Sequence, residues 1–542
     1  MGAPVVVAYD VGTSGVKAVV VDADGRVLAS RLRTYGLATP KPGWVEQDVD
    51  EIVLALGEAS REVVRAVDVE PRDVAAVALT AQMFSVVAVD RSGHALRPML
   101  SWLDQRAAGE AEAIRRRGGD DLGYGRFDAT LTAKDIVPRI AWLIEHEPEV
   151  AARAAWYLDC KEAVLSRLVG TAAIDPAGAS AYRLLDPLTG DWGRDRCELA
   201  GIPEDRLPPI LPAAAIAGRL TREGGAITGL PTGTRVVTGM GDVPASQVGA
   251  GAVRPGDTHL SLGTAVYFGI TADRHVPDPQ RRLGALAHGV PGEWIVWLEI
   301  ATGGAALSWL DRQLAGFVAS DDRPGRDHAG VDRAVEAVAD EMDGLLFAPW
   351  LTGERVPLFD DAARAAFVGL SLHHGPAHLV RAVMEGVACQ IAWAFEYGAG
   401  YGVEPRAIRA VGGGSIGSAW TRIIAETLGR PVEVVADPQD AAARGAAACA
   451  LVGAGLARDL RSAVPARVER VVEPDPARVV AARDRLTRFR ALYPALRAFW
   501  GGSPGPAAPG VGESGSANPD RKPAPDPAAS RVSGGSTVGA RS

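Results

Sequence analysis

Two aspartates and three glycine-rich turns are the residues of this sequence whose types and spacing suit chemistry. The first is Asp10, in "VVVAYDVGTSGVKAVVVD" (Val5 to Asp22), where the apolar runs Val5–Ala8 and Val16–Val21 flank the turn "DVGTSG". Gly12 and Gly15 free the backbone around Thr13 and Ser14, and a turn of this kind can aim several N–H groups at one anion. A carboxylate at Asp10 repels such an anion unless a divalent cation lies between them. An ordinary hairpin with Asp10 closing the turn is the alternative. "DTHLSLGTAVYFGIT" (Asp257 to Thr271) repeats the pattern around Gly263 and Thr264. "VGGGSIGSAW" (Val411 to Trp420) puts glycines at a strand-to-helix turn, where a purine or ribose can lie flat and a helix N-terminus favours phosphate. In "TGMGDVPASQVGAG" (Thr238 to Gly251), Asp242 follows a strand. There it can take a proton from a substrate hydroxyl, or cap a helix, or do both.

The elements that must position these residues alternate, with strands such as Val74–Leu79 and helices such as Asp50–Val67, which points to α/β architecture. Two hairpins of one type suggest two halves built alike, with both turns at one cleft. The chain has 542 residues, 47% of them hydrophobic, enough for two domains with cores of their own. A net charge of −9 argues against nucleic-acid or membrane-surface binding. Four scattered cysteines without a C-x-x-C pair fit a reducing cytoplasm and give no zinc site. The histidines lack metal-ligand spacing, and neither a basic leader nor a bilayer-length apolar run is present. Beyond Trp500 the text turns to Gly, Pro, Ala and Ser, so residues 501–542 are expected to form a disordered tail.

Together these motifs resemble the FGGY carbohydrate kinases, and xylulokinases among them, from about Val5 to Leu456. "YDVGTSGVK" resembles the family's first phosphate motif, "GWVEQD" its acidic loop, "SWLDQR" its sugar-site loop, "LSLGTA" its second phosphate motif and "VGGGSIGSAW" its adenosine motif. "AAFVGLSLHHGPAHLVRAVMEG" matches the C-terminal signature, with "APWLTGERVP" just upstream. The resemblance implies two actin-like ATPase (ribonuclease H-like) domains with a catalytic cleft between them. The expected boundaries are 1–252 for the sugar-binding half and 253–500 for the ATP-binding half.

It further implies Asp242 as catalytic base and Asp10 as the holder of Mg²⁺ through water. Thr13, Ser14, Gly263 and Thr264 would face the β- and γ-phosphates of ATP, and Gly304 and Ser308 would begin a nucleotide-contacting helix. Gly413, Gly414 and Ser418 would bracket the adenosine. Lys17 is carried with the first phosphate motif, although a structural role is its stronger reading. Met83, Phe84, Trp102 and Asp104 would line the sugar site together with Asp242. Glu354 and Arg355 receive no role.

Three residues depart from the family pattern: Arg139 replaces a lysine, Phe84 a histidine and Val243 an asparagine. The last two leave the fold and the phosphoryl chemistry alone and bear on which sugar is bound. The expected reaction is phosphorylation of D-xylulose to D-xylulose 5-phosphate. Ribulose, fuculose, erythritol or glycerol are alternative acceptors, and a non-catalytic nucleotide-dependent sugar sensor is the alternative from another class. The expected partners are sugar and ATP, with no nucleic acid and no membrane, and a homodimer is compatible with the sequence.

Overall fold

The β-branched runs on either side of the first glycine turn form the centre of a seven-stranded sheet. Its strands are β1 (Val5–Val11), β2 (Gly15–Asp22), β3 (Val27–Thr34), β4 (Val74–Ala81), β5 (Ile216–Arg219), β6 (Arg235–Val237) and β7 (Met240–Gly241). They lie in the order β3-β2-β1-β4-β6-β5, and β7 pairs with β4. This computed structural model describes residues 3–118, 131–278, 280, 282–314, 328–338, 342–463 and 467–500; the tail expected at 501–542 lies outside them.

The second sheet contains β8 (Thr258–Leu262), β9 (Val266–Ala272), β10 (Gly284–Ala287), β11 (Trp294–Ile300), β12 (Ile408–Val411), β13 (Val432–Val435) and β14 (Val468–Val472), in the order β10-β11-β9-β8-β12-β13-β14. Read outward from β3 in the first sheet and β11 in the second, the pairing senses agree: antiparallel, antiparallel, parallel, parallel, antiparallel. The two halves are therefore built alike, as the repeated hairpin implies, and β10 is an addition at one edge.

The alternation in β1 explains why nearly every residue there is apolar. Val5, Val7, Tyr9 and Val11 pack with Ile52 and Leu56 of helix α1 (Val49–Arg65). Val6 and Ala8 face the other way, onto Ala443, Ala446 and Ala447 of a helix from far along the chain. A strand buried on both faces loses the apolar–polar alternation of a half-exposed one. The remaining helices near the sites are α2 (Asp242–Gly249), α3 (Gly304–Gln313), α4 (Pro376–Ala399), α5 (Ser418–Leu428) and α6 (Ala441–Gly453), the last being that distant helix. The second core joins Leu260, Phe268 and Ile270 to Val383, Val387 and Ile391 of α4 and Ile424 of α5.

Helices α2 and α6 meet backbone to backbone. A Cβ on Gly249 would lie 1.8 Å from the Ala441 carbonyl oxygen, and one on Gly445 would lie 1.9 Å from that of Ala245. Only glycine permits either approach.

Candidate active site

Strand register places the two aspartates at one sheet edge. Asp10 pairs with Thr80 on β4, and Thr80 pairs with Met240 on β7. Parallel strands end together here, so Asp242, the first residue of α2, emerges beside Asp10. A crevice at the carboxyl ends of parallel strands is where open α/β sheets bind ligands. Burial lifts the Asp242 carboxyl to about 7, and the charge of Asp10 adds to the rise. Asp10 is itself raised to about 6 by burial, against the opposing pull of Lys17. The Asp242 Oδ1 atom accepts the N–H of Val243 at 2.8 Å. Gly241, not Asp242, is the helix N-cap.

Asp242 lines a chamber of about 380 Å³ whose walls come from both halves. Thr13, Gln82, Met83, Phe84 and Trp102 belong to the first half, and Tyr267, Trp297, Glu299 and Arg355 to the second. Trp102 donates its indole N–H to the Thr13 hydroxyl at 3.0 Å, fixing two of the expected residues to each other. Phe84 stacks on Trp297, with ring centroids 6.1 Å apart and planes 21° apart.

The backbone of Phe84 is left-handed, with φ at 65°, a conformation that costs a non-glycine residue free energy and needs support. Asp159 supplies the support by accepting the N–H groups of Phe84 and Ser85 at 2.7 and 2.8 Å. Arg139 completes it from the other side, donating to the carbonyls of Phe84, Trp102, Ala133 and Lys134. The arginine that departs from the family pattern is thus the tie between three segments of the chamber wall.

A second cavity of about 330 Å³ brings together Gly263, Thr264, Gly304, Ser308, Gly413 and Gly414. Asp311, Asp332, Trp420 and Gln439 line it as well. The second hairpin separates the two spaces, because Gly263 and Thr264 face this cavity while Ala265 faces the chamber. Its carbonyls also begin α3, accepting the N–H groups of Gly303 and Ala305 at Thr264 and that of Gly304 at Gly263.

Five expected residues line neither cavity, one of them Asp10, which stands beside Asp242. Asp104 is buried behind the chamber wall, paired with Arg106 at 2.8 Å and accepting the Val45 N–H at 2.6 Å. Ser418 gives both its N–H and its hydroxyl to Asp332 at 2.7 Å. A carboxylate of the chain itself thus lies at the N-terminus of α5, beside the residue expected to bracket the adenosine. Ser14 is exposed and lines neither cavity. Lys17 is held by Asp440 at 2.6 Å and by the Gln439 carbonyl at 2.9 Å, which matches its structural reading. The first turn differs in detail too: neither Gly12 nor Gly15 has a positive φ. Gly15 is required because a Cβ there would lie 2.5 Å from the Arg33 carbonyl oxygen.

Glu354 is buried, and its Oε1 atom accepts the N–H groups of Ala301 and Arg355 at 2.9 and 2.7 Å. Burial pushes its carboxyl up to about 8. It fixes Arg355, which the sequence left without a role, at the chamber wall. Among the described residues, no helix is long and apolar enough to cross a membrane.

The family model for the FGGY carbohydrate kinases matches this chain twice, with its N-terminal domain over residues 5–249 and its C-terminal domain over 259–454. The xylulose kinase of Escherichia coli (strain K12) is 28% identical over 501 residues, covering 90% of this chain and 99% of that protein. The gluconokinase of Bacillus licheniformis is 28% identical over 450 residues, covering 82% and 87%. The solved xylulose kinase of Rhodospirillum rubrum superposes with a TM-score of 0.82 at 30% identity, over 92% of this chain and 99% of that one.

Proposed function

Because the chain belongs to the FGGY family of carbohydrate kinases, with its two actin-like domains and ATP as phosphate donor, we propose that it phosphorylates the terminal hydroxyl of an open-chain sugar and that D-xylulose is converted to D-xylulose 5-phosphate. The observation that carries this reading is Asp242, held beside Asp10 on the wall of a chamber closed by both halves. The xylulose kinases among the relatives favour the ketose.

In this mechanism the sugar hydroxyl gives its proton to the Asp242 carboxylate as its oxygen bonds to the γ-phosphorus. The bond from that phosphorus to the β–γ bridging oxygen breaks, and ADP leaves. A base raised to about 7 is matched to a neutral working pH. Most of the remaining work is positioning and charge neutralisation. Ala265 and Thr264, on opposite faces of one hairpin, put the transfer point between the two cavities. We assign the nucleoside to the second cavity, with Gly413 and Gly414 against the base and ribose. The buried Asp311 Oδ1, which has no hydrogen-bond partner among the described residues, is available there to a ligand donor.

Asp10 fits an Mg²⁺ site: among the described residues its carboxylate makes no hydrogen bond, and its charge raises the proton affinity of Asp242 beside it. Bound there, the cation would supply charge neutralisation to the phosphates. The functional halves are taken as residues 1–252 and 253–500, and the enzyme as cytoplasmic. A coupled ADP-release assay across D-xylulose, D-ribulose, L-fuculose, erythritol and glycerol tests the reading. Turnover greatest with D-xylulose supports it, greatest turnover with another acceptor replaces the sugar, and no ADP from any of them leaves the sensor.

A further inference from the structure

The nucleoside cavity holds an acid that the phosphoryl transfer does not use. Asp311 lines it, its Oδ1 atom is buried, and among the described residues no hydrogen bond or ion pair reaches its carboxylate. The other acid of this cavity is engaged: Asp332 accepts from Ser418 at 2.7 Å and from the Ala419 N–H at 3.2 Å. Among the described residues, no lysine, arginine or histidine lines the cavity. A buried charge is costly, and native structures rarely keep one without a partner. A carboxylate only accepts hydrogen bonds, so the missing partner is a ligand group that donates.

Position along α3 says which part of a nucleotide that group belongs to. Gly304, Ser308 and Asp311 lie at i, i+4 and i+7 on one face of the helix, and all three line the cavity. The Gly263–Thr264 hairpin meets α3 at its first residues, so Asp311 stands about 10 Å further along the axis, at 1.5 Å per residue. In a nucleoside triphosphate held by its β- and γ-phosphates at that hairpin, the ribose comes next and the base lies beyond it. The acid two turns along therefore meets the base. Guanine presents its N1–H and a 2-amino N–H side by side, and the two oxygens of one carboxylate can accept them in parallel. Adenine sets its 6-amino N–H beside the lone pair of N1, which a carboxylate repels.

We propose that the second cavity recognises guanine through Asp311 and that GTP serves as a phosphoryl donor alongside ATP. This rests on the kinase reading and on the assignment of the nucleoside to this cavity, and it adds a donor class to them. The transfer keeps its balance: the sugar hydroxyl oxygen bonds to the γ-phosphorus of GTP and gives its proton to Asp242. The bond from that phosphorus to the β–γ bridging oxygen breaks, and GDP leaves.

Nucleoside diphosphates read the base without turnover. Calorimetric titration of the parent should show GDP binding about 10- to 100-fold tighter than ADP, as charge-assisted hydrogen bonds give. IDP, which keeps N1–H and lacks the 2-amino group, should fall between them. Asp311→Asn keeps the side-chain size and turns one acceptor into a donor. That variant should prefer XDP, which carries an oxygen where guanine has the amine, over GDP. ADP bound as tightly as GDP by the parent, or a preference for GDP that survives Asp311→Asn, overturns the proposal. 2′-Deoxy-GDP bound as weakly as ADP places Asp311 on the ribose hydroxyls and overturns it as well. With D-xylulose and Mg²⁺ present, GTP should yield GDP, and ADP from ATP without GDP from GTP overturns GTP as a donor. No diphosphate from either nucleotide with any acceptor of the panel, with the binding ratio intact, overturns the kinase reading while recognition of guanine stands.

Discussion

Replacing Asp242 by asparagine separates chemistry from architecture at this site. The change keeps the side-chain oxygen that accepts the Val243 N–H at 2.8 Å. It removes the proposed proton acceptor. General-base assistance is typically worth about 10²- to 10⁴-fold, or about 3–5 kcal/mol of barrier, so kcat should fall by that order. It also removes one of two acids that disfavour each other's ionisation. The metal-free variant should therefore melt at or above the parent's temperature at pH 8, the reverse of an ordinary active-site lesion. Steady-state ADP release, ATP titration and thermal melting of the same preparation read the three quantities. An asparagine variant with near-parental kcat would remove Asp242 from the mechanism, and one that melts well below the parent would show that the carboxylate holds the fold.

Three more expectations follow from geometry already described. Asp242, Asp10 and Glu354 all hold protons more tightly when folded, at about 7, 6 and 8. Their stabilising contribution is full below the ordinary carboxylate range near pH 4 and is lost as pH rises through those values. The melting advantage of Asp242→Asn over the parent should accordingly grow from pH 5 to pH 8, and a constant difference would contradict the raised carboxyl. Arg139→Met orphans four carbonyls and should destabilise the protein by about 2–4 kcal/mol in urea unfolding, raising the sugar KM more than the ATP KM; a loss under about 0.5 kcal/mol would mean Arg139 ties nothing together. Lys17→Met breaks a pair whose side chains are each 22% exposed, worth about 1 kcal/mol or less, and should leave ATP affinity within about threefold; a loss beyond tenfold would put Lys17 on the phosphates.

The sequence displayed the residues that sit at strand ends and turns, because strand alternation and glycine fix where those lie. Asp10, Asp242 and the Gly263–Thr264 hairpin were legible on that ground, and so was the duplicated sheet. Side-chain direction inside a loop was not. In "SWLDQR" the Asp104 N–H bonds the Ser101 carbonyl at 2.9 Å, closing a tight turn. That turn sends Trp102 to the chamber and Asp104 back toward Arg106, so two residues of one motif face opposite ways. Trp297 and Asp332 lacked a local signal, since each reaches its cavity from an element remote in the chain.

The glycine-to-carbonyl contacts between α2 and α6 bear on how the cleft can work. Side chains that interdigitate lock two helices in register, and sliding them apart means unpacking every knob. Here Gly249 and Gly445 bring bare backbone together, so the crossing resembles a pin joint more than a zipper. Rotation about it disturbs few rotamers, whereas separation exposes two polypeptide backbones at once. Asp242 begins one of these helices and Asp440 caps the other, so the proposed proton acceptor and the Lys17 anchor both sit close to the axle. Opening the cleft would then swing the distant chamber walls widely while displacing the Asp242 carboxylate least.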